Sequence, residues 1–334
     1  HRDLHSFPTR RSSDLRNVLG VARSVLDLFT LADLRRGLAD ADREVRILAV
    51  GALASWQGDE AERADALGAL AADPDTPVRR EAARALGRLG DAATAALERL
   101  AEDADSSVRI EAVRALVLRQ HPRGPSLVRQ VVLDESVSAE ERRTLLAPMV
   151  MYGADGDGLL LLAAESQSAV LRSEAIRVLG RGDGQGRGVA FFARFLADAS
   201  PDVRRVAAQV LSRLAVEAIR TGGGTPFKPA DVGELLASPH PDVRHAALSL
   251  TSHLSAVDRE ALLLDACLDD DTGVRVDAIR RLAMSGTPGG MEAVVVSLND
   301  PNREVVLAAV QGLAMRPSPE SLTALETYAG RCSD

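Results

Sequence analysis

The sequence predicts an all-α fold, a solenoid of about nine helical hairpins. Three observations predict it. A phrase clearest at Asp73 to Gly90, DPDTPVRREAARALGRLG, returns at Val45-Arg46, Val78-Arg79, Val108-Arg109, Leu171-Arg172, Val203-Arg204, Val243-Arg244 and Val274-Arg275. With weaker copies at Glu141-Arg142 and Val305-Val306, the second positions are spaced by 33, 30, 33, 30, 32, 40, 31 and 31 residues. Each unit also carries another apolar segment, such as Ala66 to Leu70, Ala95 to Leu100, Val189 to Leu196 or Met291 to Leu298. A fixed period of this size marks stacked repeats. One hairpin is too thin to bury its own apolar face, so neighbours must stack.

Within the phrase, Val78, Ala82, Leu86 and Leu89 recur at steps of three and four, which places them on one stripe of a helix. Pro77 suits the first turn, Asp75 or Thr76 can cap it, and Gly90 supplies a stop. Upstream, Arg16 to Thr30 reads as a helix with Val18, Val21, Val25 and Leu28 on one side. Repeats then run to about Gln120. The stretch His121 to Tyr152 has Pro122, Pro125 and Pro148 and no Val-Arg pair, which predicts a kink or simple drift. Gly180 to Gly188 reads as a flexible connection, because no strand precedes its glycines as a phosphate-binding loop requires. The long step of 40 residues contains an insertion at about 219–230 between the two helices of one repeat. Such insertions often border a binding face. A last helix is expected from Pro319 to Ala329.

Composition narrows the function classes. The net charge of −8 argues against broad nucleic-acid binding, since duplex affinity comes largely from neutralising phosphates with Lys and Arg. Aromatics make up only 3% of the chain, and abundant small alanines suit close helix packing. Cys267 and Cys332 form no disulfide framework and lack metal-ligand spacing. Cys267 sits among Leu262, Leu263, Leu264 and Leu268 and reads as a buried small hydrophobe. No run of eighteen apolar residues exists, so no membrane span is expected. The expected compartment is the reducing cytoplasm.

Motifs that would carry chemistry are absent from the sequence. It has no H-E-x-x-H and no cysteine pair for zinc. His240, His245 and His253 form a cluster in the sequence, but His245 and His253 are eight residues apart, roughly 12 Å along a helix, too far to share one metal. Asp155-Gly-Asp157-Gly lacks the later ligands of a calcium loop, and Asp269-Asp270-Asp271 reads as a helix cap. No catalytic residue, cofactor or metal ligand is therefore assigned.

The acidic turn, the Val-Arg pair and the following Ala and Leu resemble HEAT repeats of the short bacterial type also seen in phycobilin lyases. The resemblance covers roughly Leu31 to Leu325 and implies a right-handed superhelix. It also implies a structural ladder between repeats, with Arg46, Arg79, Arg109, Arg172, Arg204, Arg244 and Arg275 matched to Asp42, Asp75, Asp105, Asp202, Asp242 and Asp271. The Val-Arg helix is implied to line the concave side. On it, Arg84, Arg114, Arg177 and Arg280 share a register with Gln209, Ser249 and Gln311, and Glu81, Glu111, Glu174 and Asp277 lie three residues earlier. These pairs are either i,i+3 ion pairs on their own helix or a row that recognises carboxylates. Phe191, Phe192, Phe195 and Phe227 are either core or interface anchors.

A different resemblance concerns the start of the chain. His5 to Leu15, HSFPTRRSSDL, resembles the translation of a sequencing-library adapter. Residues 1–15 are therefore expected to be a non-native disordered tail before one elongated domain, 16–334, with further domains possible upstream. The sequence points to a non-catalytic, monomeric scaffold or adaptor that binds a protein or peptide partner along its concave face. Two alternatives are a bilin lyase-like protein or lyase chaperone, and the regulatory part of a larger protein.

Overall fold

The structure, a computed structural model, describes residues 30–181, 188–221 and 227–331. The adapter-like residues 1–15, the predicted helix at 16–29, the body of the glycine-rich connection, the centre of the insertion and Cys332 lie outside the described residues. Those described are all-helical, and they group into two compact units, residues 1–175 and 176–334.

In the first unit, the hairpins pair α1 (Leu31–Leu38) with α2 (Arg43–Ser55), α3 (Glu60–Gly68) with α4 (Thr76–Leu86), and α5 (Thr94–Leu100) with α6 (Ser106–Leu118). Next come α7 (Gly124–Leu133), α8 (Ala139–Arg143) and α9 (Gly153–Ala164); α10 (Ala169–Arg181) runs across the boundary. The second unit pairs α11 (Val189–Ala193) with α12 (Pro201–Arg220), α13 (Pro229–Leu236) with α14 (Pro241–Leu250), and α15 (Ala256–Ala266) with α16 (Thr272–Ser285). α17 (Pro288–Val296) pairs with α18 (Arg303–Met315), and α19 (Pro319–Arg331) follows. Within each unit the second helices of successive hairpins pack side by side, which is the α-solenoid arrangement.

The apolar stripe explains the core. Val78, Ala82 and Leu86 are fully buried and Leu89 nearly so. The same register buries Val45, Val108, Val203, Val243, Val274 and Val305. Small residues set the spacing between neighbours. A Cβ built on Gly312 of α18 would lie 2.7 Å from the Cβ of Ala283 on α16, and one on Gly87 would lie 3.1 Å from that of Ala115.

Local details depart from expectation at three places. Helix α4 ends at Leu86 with Gly87 as its C-cap, three residues before Gly90, because a tight turn tucks Leu89 into the core. Asp75 makes no capping bond there; its carboxylate turns to Arg46 instead. In the degenerate stretch the second helix shrinks to the five residues of α8, and Pro148 falls in a 3-10 turn, Ala147–Tyr152. Gly153 then reverses the chain at φ +54°, a conformation that glycine adopts at little cost. By length and composition the stretch Ala139–Ala164 is apolar enough to cross a membrane, which the sequence reading did not expect. It is folded as three short pieces that place Leu145, Leu146, Met149, Leu159 and Leu160 in the core.

Candidate interaction surface

A repeat arginine with a complete rung does two jobs. Its outer nitrogen donates to the carbonyls of its own hairpin's turn, as Arg79 does to Asp73 at 2.9 Å and Arg275 does to Asp269 at 2.7 Å. The other face of the guanidinium reaches a carboxylate of the next hairpin. Arg46 meets Asp73 at 2.8 and 3.0 Å, Arg79 meets Asp103 at 2.7 and 3.0 Å, and Arg109 meets Asp134 at 2.6 Å. In the second unit, Arg244 meets Asp269 at 2.7 Å twice, and Arg275 meets Asp300 at 3.0 and 3.2 Å. Arg204 pairs with Asp242 at 3.0 Å, and Arg172 donates to the carbonyls of Ser166 and Gln167 at 2.9 Å each.

The ladder acids therefore differ from those named by sequence. In the D-x-D turns the first acid takes the arginine, because it lies at the base of the turn facing the preceding hairpin. One of the two oxygens that hold the arginine also accepts the backbone N–H two residues on, as Asp103 does from Asp105 at 2.8 Å and Asp269 does from Asp271 at 2.8 Å. The second acid is left to the helix start. Asp42 accepts from the Glu44 N–H, Asp105 from Ser107 and Asp271 from Val274. Asp75 leaves its helix start uncapped and joins Asp73 in the rung, meeting Arg46 at 2.5 Å, and Asp202 pairs with Arg205 on its own helix. Only Asp242 of the expected acids serves alone as a ladder partner in the structure's described rungs.

These bonds set the carboxylates' acidity. Burial pushes the Asp103 carboxyl up, but the Arg79 hydrogen bond, the Asp105 N–H and the guanidinium charge outweigh it and hold the group below the usual range. Asp269 is held down in the same way by Arg244 and the Asp271 N–H, against the burial that would raise it. A further arginine clasps each of two helix ends. Arg119 donates to Leu86 O at 2.7 Å, Gly90 O at 3.0 Å and Leu89 O, and Arg316 donates to Met284 O at 2.6 Å. Both neutralise carbonyls left over at a helix C-terminus.

The candidate partner row has a different character. Arg84 bonds Glu81 on its own helix at 2.8 Å and Glu111 of the next hairpin at 3.3 Å, and Glu111 takes Arg114 at 2.8 Å. The two expected alternatives thus combine into an alternating chain, Glu81–Arg84–Glu111–Arg114, whose arginine side chains stay 44% and 41% exposed. Arg143, which joins Glu140 and Glu174, repeats the pattern. Arg177 is half-buried, and Gln209 and Arg280 are exposed. Asp277 pairs with Arg281 at 2.9 Å, not with Arg280, since one helical turn on brings i+4 over the acid; Arg281 also reaches Ser249 at 3.1 Å.

The phenylalanines sort by burial. Phe192 and Phe227 are 0% and 2% exposed and fill the core, so they are not open anchors as one reading had it. Phe191 is half-buried, packs edge-on against Phe192 and Phe195, and carries the Arg194 guanidinium 4.5 Å from its ring centre. His240 begins α14, His245 is exposed, and burial together with Arg259 lowers the His253 pKa. Among the described residues no three His, Cys, Asp or Glu side chains gather as metal ligands would. One feature escaped the sequence reading. Met284 and Met315 stand ten residues beyond Val274 and Val305, and both are largely exposed on neighbouring hairpins. Their shared register was the available signal.

The profile of HEAT repeats matches residues 31–117, 64–146, 156–251, 229–314 and 260–334. The chain belongs to the HEAT-repeat family. Among solved structures, this HEAT-repeat chain is similar to Kap121p bound to Ste12p, with 14% identity, 92% of this chain and 40% of that one covered, and a TM-score of 0.60. It is similar also to the karyopherin Kap121p bound to the extreme C-terminus of the protein phosphatase Cdc14p, with 13% identity, coverage of 95% and 43%, and a TM-score of 0.56. An engineered protein aligns at 22% identity over 91% of this chain and 93% of that one, with a TM-score of 0.44. The chain spans about two-fifths of the karyopherin it matches, and identities this low speak to the fold alone. No curated protein matches the sequence.

Proposed function

We propose that this HEAT-repeat chain is a non-catalytic scaffold that binds a protein or peptide along its second helices, the concave face of the family. The observation that carries the reading is the alternating row Glu81–Arg84–Glu111–Arg114. Its guanidinium groups are held in place by neighbouring carboxylates yet remain about two-fifths exposed, so donors are preorganised and reachable. A planar guanidinium suits a carboxylate-bearing peptide, because its fork matches two oxygens at once. The complexes of Kap121p with Ste12p and with the Cdc14p C-terminus support the general idea of a repeat scaffold holding a protein chain. The same reading takes the chain as a cytoplasmic monomer without affinity for nucleic acid.

The test uses the full chain immobilised as bait, beside an Arg84→Glu, Arg114→Glu double variant of equal thermal stability. Support is a saturable protein partner retained by the first and lost by the second. A partner held equally by both, or none at any concentration, overturns the reading.

A further inference from the structure

The rungs of the second unit are not alike. Asp269 and Asp300 each take their arginine through both carboxylate oxygens while also accepting a backbone N–H two residues on, and their side chains are 11% and 13% exposed. The position equivalent to Asp269 in the α13–α14 hairpin is Ser238, six residues before the repeat arginine. Serine cannot hold a guanidinium through two oxygens. Its hydroxyl accepts only the His240 N–H, at 3.3 Å. Arg204 reaches further along the chain to Asp242, which also holds it through both oxygens, at 3.0 and 3.2 Å, but whose side chain is 39% exposed and accepts no backbone N–H two residues on. Water competes more effectively for such a pair.

A second observation falls at the same seam. A groove of about 1070 Å³ separates α11 and its following 3-10 turn from α13, lined by Val189, Ala193, Arg194, Leu235 and Val243. The grooves between the first helices further along the unit are about half that size, near 550 and 580 Å³. At the α15–α17 seam the first helices are also tied directly, Thr287 donating to Glu260 at 2.8 Å. The missing acid and the wider groove thus coincide.

We propose that the seam between hairpins α11–α12 and α13–α14 is the compliant joint of the second unit, where neighbouring hairpins part before any other pair in that unit does. The substitution of Ser238 for the ladder acid sets its location. Amide hydrogen exchange on the full native chain tests it. Residues 206–214 of α12 and 244–250 of α14 are expected to exchange on the order of tenfold faster than the matching parts of α16 and α18. Ser238→Asp, which restores a carboxylate at the base of the turn, slows exchange at this seam alone, and Asp242→Asn speeds it there. Protection at this seam equal to that at the Arg244–Asp269 seam overturns the proposal, as does a Ser238→Asp protein whose exchange pattern is unchanged.

Discussion

Arg79 and Asp103 stand on successive hairpins, 24 residues apart, and meet through two parallel hydrogen bonds of 2.7 and 3.0 Å with their side chains 15% and 8% exposed. Geometry and burial both make this a strong contact. Arg84 and Glu111 also join successive hairpins, but at 3.3 Å and with the arginine 44% exposed. Asp103→Ala is therefore expected to cost about 3 kcal/mol, since it strands a buried guanidinium, and Arg84→Ala less than about 1 kcal/mol. Urea unfolding of the two variants checks the ranking; equal losses would contradict it.

Acid should loosen the ladder. The Asp103 and Asp269 carboxyls are raised by burial but lowered more by their arginine and backbone partners, so the folded pKa lies below the unfolded one. The stability they confer is complete above the unfolded value of about 3.9 and is lost as pH falls through the lower folded values. Melting temperature should hold down to about pH 5 and drop below about pH 4. Asp103→Asn should flatten that drop, which a pH series of melting curves would reveal.

Two glycines are expected to resist a methyl group. A Cβ on Gly156 would sit 1.9 Å from the Met149 carbonyl oxygen, where the chain doubles back before α9, and backbone cannot move aside cheaply. Gly156→Ala and Gly312→Ala should each cost about 1–3 kcal/mol by overpacking. Gly158→Ala, which meets open space on an exposed turn of α9, should instead stabilise by up to about 1 kcal/mol and serves as the control in the same thermal melts.

Phe192→Ala should cost about 3–5 kcal/mol, because it empties a fully buried ring site. Phe191→Ala should cost clearly less, its ring being half-buried. If Phe192 were an interface anchor instead, stability would be spared and only partner binding would fall, which calorimetry distinguishes.

Cys267 should be slow to alkylate. Burial pushes its thiol up to about 12, so little thiolate exists at pH 8. Mass spectrometry after a short pulse of iodoacetamide should find this residue unmodified in the native chain and modified in urea.

The periodic valines and arginines made the fold and the rung donors legible, because one recurring helix register fixes both. The acceptors were harder. Two acids share each D-x-D turn, and which faces the neighbour depends on how hairpins abut, so Asp73 and Asp103 were passed over for Asp75 and Asp105. Asp277 illustrates a smaller ambiguity, since Arg280 and Arg281 both lie within its reach along the helix and only packing selects Arg281. The aromatic cluster was open for a similar reason: alternation of Phe191 and Phe192 between half-buried and buried sites depends on the neighbouring hairpin.

The direction of the Arg–Asp contact has an evolutionary corollary. A hairpin with a complete rung offers its cation forward and its anion backward, as Arg244 and Asp269 do, so such copies can follow one another without inventing a new joint. Arrays wired this way can lengthen or shorten by duplication and loss of whole modules, whereas a cut inside a module would leave one guanidinium with nothing to grip.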